Sequence, residues 1–178
     1  MSQLVFPGLL PPLAPSAPLP FGAPSPLIRY PDVSGPVRAT YAKRIGAAGE
    51  KLVDSLLTRW GFYVVAAPES EPYDCLVFVA DELLRMQIKT VTHPRAGWYR
   101  FAMEQGYRRS PSGRRTYEDD AFDIAALVAL PENVVFFTTE PRKQHRFPVS
   151  DVFNLRARPQ VSFLEAIASR RERREIGS

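Results

Sequence analysis

The sequence predicts a mixed α/β domain: a central sheet of four or five strands, covered by one long helix and closed by a second helix near the C-terminus. Three observations carry this. Residues 40–61 repeat apolar side chains at helical spacing. Short β-branched or aromatic runs bounded by turn residues then follow one another from Phe62 to Glu140. Finally, "SFLEAIASRRERREIGS" returns to helical spacing. A chain of 178 residues is long enough to form one such domain with a substantial core.

The elements can be justified in order. Residues 1–36 hold ten of the 18 prolines and hardly any charge. Proline fixes its own backbone angle and supplies no donor, so residues 1–39 are predicted to be a disordered or extended arm, either without a partner or serving as a linker or docking strip. From Thr40, Ile45, Gly49, Leu52, Val53, Leu56, Leu57 and Trp60 recur at helical spacing and Gly61 supplies a stop, giving an amphipathic helix over 41–60. Glu50 lies at the edge of that apolar stripe, in line with Val53 and Leu57. "FYVVAA" and the two runs of "YDCLVFVADELLRMQIKT" read as three successive strands, and "GWYRFAM" as another. "FDIAALVAL" and "VVFFTTE" give two more, separated by the turn "PEN". The closing helix docks through Phe163, Leu164 and Ile167. The domain is therefore set at 40–168, with an Arg-rich helix end or tail at 169–178.

Composition narrows the function. The formal net charge is +4 and the pI near 9.4, with nearly all of the positive charge on arginine. Arginine forks match phosphate oxygens in paired hydrogen bonds, so an anionic partner is expected, nucleic acid first. The single cysteine, Cys75, excludes an internal disulfide framework and a Cys-rich zinc site, which fits a reducing cytoplasm. There is no apolar run of about 18 residues, and the N-terminus lacks a basic start, so neither a membrane span nor a signal peptide is expected.

The chemistry is concentrated in the hairpin. A turn centred between Ala80 and Asp81 pairs Asp74 with Gln87. Alternation then puts Asp74, Leu76, Phe78, Leu83, Arg85, Gln87 and Lys89 on one face and Cys75, Val77, Val79, Leu84, Met86 and Ile88 on the other. The second face is wholly apolar and must be buried; the first gathers an acid, an amide and an amine at one end of the sheet. Such a set suits hydrolysis of a phosphodiester with a hard divalent cation. Asp74 is the expected ligand, the Gln87 side-chain oxygen and the Ile88 carbonyl are neutral ligands, Glu50 from the covering helix is a second carboxylate, and Lys89 steadies the attacking water.

These residues, in the order helix "GE", strand "YD", strand "QIKT", resemble the PD-(D/E)XK nuclease superfamily. Within it the chain looks most like the group I intron homing endonuclease type, a branch known for Gln at the second acidic position, with archaeal Holliday-junction resolvases more distant. The resemblance covers about residues 43–150. It implies a restriction-endonuclease-like core, DNA cleavage dependent on Mg²⁺ (with Mn²⁺ as a substitute), a homo-oligomer, and catalytic residues at Glu50, Asp74, Gln87 and Lys89. Because an amide oxygen is a weaker ligand than a carboxylate, Gln87 also admits an alternative, a nuclease-fold protein that binds DNA or acts as an assembly module with little or no turnover.

Other features point the same way less sharply. Arg108, Arg109, Arg114 and Arg115 flank a Ser/Gly loop and suit phosphate contacts, or simply keep the loop solvated. Tyr107 and Tyr117 suit base stacking or loop packing, and Thr90 a hydrogen bond near the metal. His93 and His145 form no zinc pattern. Asp120 and Asp123 are expected to cap turns, and Arg170, Arg171, Arg173 and Arg174 to form a solvated helix face.

Overall fold

The computed structural model describes residues 24–106, 113, 115–118 and 120–177. A 3-10 turn at Pro26–Arg29 and a short helix, α1 (Gly35–Thr40), precede the long helix α2 (Ala42–Arg59). Strands β1 (Tyr63–Ala66), β2 (Cys75–Val79) and β3 (Glu82–Val91) form an antiparallel meander. Next come β4 (Trp98–Ala102) and the two-residue strands β5 (Glu104–Gln105) and β6 (Arg115–Thr116). The chain continues through β7 (Ile124–Ala129), β8 (Val134–Thr138) and β9 (Gln144–Pro148) to helices α3 (Val152–Ala157) and α4 (Val161–Gly177). The central sheet has five strands in the order β1-β2-β3-β7-β8 and is mixed, since β7 runs parallel to β3. This is the α/β architecture, a central mixed sheet flanked by helices, that the sequence predicts.

The register of the hairpin is the one the sequence count gives. Cys75 pairs with Met86 and Val79 with Glu82, leaving Ala80 and Asp81 to make the turn. Its apolar face, Val77, Leu84, Met86 and Ile88, is buried beneath Ile45, Val53, Leu56 and Leu57 of α2. The helix can lie this low only because of Gly49. A Cβ there would fall 2.0 Å from Thr90 Oγ1, inside any tolerable contact. This close approach seats the next residue, Glu50, beside the end of β3. Gly61 ends the helix segment at φ 85°, an angle glycine adopts without steric cost.

β7 is buried along its whole length, because the other sheet face carries a second core of Tyr99, Phe101, Phe147, Ala125, Leu127 and Ala129. Here the structure adds to the sequence reading. The "WYRF" strand does not join the central sheet; it pairs with β9, "QHRFP", which the sequence reading leaves unassigned. β9 does alternate, with His145 and Phe147 buried and Gln144 and Arg146 exposed, but a histidine holds one of its inward positions and disguises the period.

Four expectations are corrected. The stretch 24–39 is not extended throughout. Leu27 and Tyr30 pack on the core from the 3-10 turn, and α1 begins at Gly35-Pro36, where the fixed angle of proline suits a first turn. Residues 1–23 lie outside the described residues. In α4 the buried residues are Phe163, Ala166 and Ile167, while Leu164, one position round the helix, is 52% exposed. The same stripe continues into Arg170, so the basic end is not simply solvated: Arg170 reaches Asp123 at 2.7 Å, Arg174 reaches Glu82 at 3.0 Å, and Arg173 donates to the Thr139 carbonyl at 2.9 Å. Nor is Asp123 only a cap. Its Oδ2 also accepts from the Arg85 backbone N–H at 2.8 Å and from Arg85 Nε at 3.2 Å, tying α4 to the sheet through one buried carboxylate.

Candidate active site

The site forms where β2 begins and β3 runs on alone. β2 pairs with β3 from Cys75, yet β3 extends to Val91, so beyond Met86 its edge on this side has no ladder partner. Asp74 fills the gap. Its backbone N–H donates to the Met86 carbonyl at 2.9 Å and its carbonyl accepts from the Ala67 N–H at 2.9 Å, which fixes its position between two strands. Its side chain then takes over the role of a strand: Asp74 Oδ2 accepts from the Ile88 N–H at 2.6 Å. The same oxygen accepts from Gln87 Nε2 at 2.6 Å, and Gln87 Nε2 also donates to the Ile88 carbonyl at 3.2 Å. A carboxylate, an amide and a main-chain carbonyl thus meet around one point, with Gln87 itself only 5% exposed.

Lys89 stands one step along the same face. Its Nζ donates to the Glu104 carbonyl at 2.8 Å and to Tyr117 Oη at 2.7 Å. An ammonium group has three donors, so a third N–H remains for a substrate or water. Glu50 approaches from α2. Its residue is solvent-accessible as a whole, yet it lines a cavity of about 170 Å³ together with Asp74 and Ile88.

Burial sets the electrostatics of the site, and the charges within it modify the result. Burial raises the pKa of Asp74, an effect opposed by the Ile88 N–H and by Lys89. Burial also raises that of Glu50, and the charge of Asp74 adds to the rise. Lys89 is pushed down by burial, with Asp74 and Glu104 opposing. Tyr117 is pushed up by burial and by Asp74, so its phenol stays protonated. In contrast, burial lifts Cys75 to about 12, which leaves its thiol an inert part of the core.

The residues fit a hard divalent cation. Among the described residues no group of three or more His, Cys, Asp or Glu is placed to hold a metal ion; the donors that gather here are the Asp74 and Glu50 carboxylates, the Gln87 amide and the Ile88 carbonyl. All of these offer oxygen, which suits magnesium and not zinc. The Gln87 amide N–H₂ lies between the Asp74 carboxylate and the Ile88 carbonyl, where positive charge is wanted, and a half-turn of that amide presents Oε1 there instead.

The structure therefore brings Glu50, Asp74, Gln87, Ile88 and Lys89 together. Arg115 lies exposed in β6, while Arg108, Arg109, Arg114 and Tyr107 fall outside the described residues. Thr90 lies against Gly49 and serves the packing of α2. His145 is buried and held below its ordinary pKa by burial, so it packs as a neutral ring. What sequence reasoning missed is that Tyr117 and Glu104 hold Lys89. A contact spanning 28 residues leaves no local period to find it by.

No family model matches the chain, and no curated protein matches it. Among solved structures, the bacterial homing endonuclease I-Ssp6803I matches over 62% of this chain and 70% of its own length, at 21% sequence identity and a TM-score of 0.48.

Proposed function

We propose that this chain is a magnesium-dependent endonuclease that hydrolyses DNA phosphodiester bonds, with manganese able to replace magnesium. The observation that carries the proposal is the meeting of Asp74 Oδ2, the Gln87 amide and the Ile88 carbonyl on an open strand edge, with the Lys89 ammonium one step away. Asp74, Glu50, the Ile88 carbonyl and the turned Gln87 amide would hold the cation. Bound there, it supplies Lewis acidity toward the phosphate and acidifies a water. Lys89, braced by Glu104 and Tyr117, orients the attacking water with its remaining N–H and offsets negative charge growing on the phosphate. The basic balance of the chain supports a polyanionic substrate. Cutting both strands of a duplex calls for two such sites, so the working form is assigned to a homo-oligomer.

The test is nicking of supercoiled plasmid with Mg²⁺ against EDTA. Wild type is expected to nick only with metal, and Lys89→Ala to lose about a hundredfold or more. Plasmid left intact in both Mg²⁺ and Mn²⁺ by a protein that still binds it would establish the non-cleaving DNA-binding alternative.

Gln87→Glu gives a check that needs no turnover. It replaces the donor 2.6 Å from the Asp74 carboxylate with a third negative charge. Without metal its melting temperature should fall, by an amount corresponding to about 1–3 kcal/mol for the lost buried bond. With Mg²⁺ its stabilisation should exceed that of wild type, because a carboxylate binds a hard cation better than an amide. A Mg²⁺-induced shift smaller than that of wild type would remove Gln87 from the ligand set.

A further inference from the structure

The β4–β9 ribbon has two unlike faces. Tyr99, Phe101, His145 and Phe147 point inward and are buried. Outward stand Trp98, Arg100 and Ala102 on β4 and Gln144, Arg146 and Pro148 on β9, none of them acidic. Arg100 and Arg146 are directly opposed in register. Like charges in that position repel each other, so this face works against the fold unless something anionic covers it. Neither arginine has a carboxylate partner among the described residues, whereas Arg85, Arg142, Arg156, Arg170 and Arg174 each have one. Arg146 instead stacks over the Trp98 ring at 4.6 Å. Stacking uses the face of a guanidinium and leaves its N–H edge to fork onto a phosphate.

This face is continuous with the candidate active site. A cleft of about 360 Å³ runs beside Arg100 over Thr90, Thr92 and Arg95. A second cleft of about 500 Å³ shares Thr90, Thr92 and Arg95 and reaches Ile88 and Glu50, with Arg38 on its wall. Glu50, at the catalytic end, is the one acid in the lining of either cleft.

We propose that the outer face of the β4–β9 ribbon is a contact surface for duplex DNA. A phosphate backbone leaving the site passes Arg38 and Arg95 and lies across Arg100 and Arg146. This rests on the proposed DNA substrate, and it assigns the track to residues other than the arginine loop at 108–115.

The test is binding of a duplex of about 30 base pairs in EDTA at several salt concentrations, so that cleavage plays no part. Arg100→Ala/Arg146→Ala is expected to weaken binding by about tenfold or more, and to reduce the slope of log affinity against log salt by about 2. Its melting temperature without DNA should stay close to that of wild type, since the removed repulsion offsets the lost stacking of Arg146 on Trp98. The control Arg158→Ala/Arg171→Ala removes equal charge from exposed sites elsewhere and should stay within about twofold of wild type. Unchanged affinity in the ribbon variant, an equal loss in the control, or no duplex binding by wild type would each overturn the proposal. Plasmid nicking is scored separately. Ribbon-dependent binding without metal-dependent nicking keeps the surface and rejects the nuclease, whereas nicking with ribbon-independent binding rejects the surface alone.

Discussion

Asp74→Asn is expected to lower metal-dependent cleavage by at least about a hundredfold, since loss of even a partner of a metal ligand typically costs ten- to a hundredfold. Asn keeps a side-chain oxygen able to accept the Ile88 N–H bond that spans 2.6 Å in the wild type, so the unpaired edge of β3 stays capped. What it loses is the charge that holds a cation. Stability should therefore stay within about 1 kcal/mol of wild type. Asp74→Ala behaves differently, because it strands the Ile88 N–H and one donor of the buried Gln87 amide; its fold should weaken by about 1–3 kcal/mol besides losing activity. Plasmid nicking and urea melts on both variants separate the two roles of this carboxylate. Full activity in Asp74→Asn would remove Asp74 from the site.

The largest effect on stability is expected at Asp123. Its side chain is 8% exposed and is shared by Arg85 and Arg170. Breaking a buried ion pair by removing one partner typically costs about 3–5 kcal/mol, so Asp123→Ala should lose about 3 kcal/mol in urea unfolding at pH 7. The pH dependence follows. Burial alone would raise the Asp123 pKa, but the Arg85 hydrogen bonds and the charge of Arg170 outweigh it and hold the carboxyl below its ordinary 3.8. A carboxyl depressed on folding stabilises fully above the unfolded value and loses that contribution as pH falls through the lower folded value. Wild type should thus shed stability below about pH 4, and Asp123→Ala should show a shallower decline over the same window. An unchanged acid limb would mean that Asp123 is not ionised in this pairing.

Much of the site is legible in the sequence because a hairpin is local. Once the turn is placed at Ala80-Asp81, the pairing of Asp74 with Gln87 follows by counting, and alternation puts Lys89 on the same face. The helical stripe of α2 likewise places Glu50, although only the structure shows that Gly49 and Thr90 set its depth. Contacts between distant segments leave no such period. The bracing of Lys89 by Tyr117 and the sharing of Asp123 by Arg85 and Arg170 depend on how β7 and α4 pack, not on any spacing along the chain. β9 falls between these cases: its alternation is present but is carried by a buried histidine and two outward polar residues, so it offers no apolar run and goes unassigned. In α4, helical spacing is correct but the stripe is one position off at Leu164, because an ion pair continues it where an apolar residue would be sought.

The central claim is that Asp74, Ile88 and Gln87 form a divalent-cation site, and a crystal soaked in Mn²⁺ and measured at the manganese edge tests it most directly. The expected result is an anomalous peak within about 2.5 Å of Asp74 Oδ2 and the Ile88 carbonyl, with the Gln87 amide turned so that its oxygen faces the ion. No peak there at saturating Mn²⁺, with Gln87 Nε2 still donating to Asp74, would contradict it.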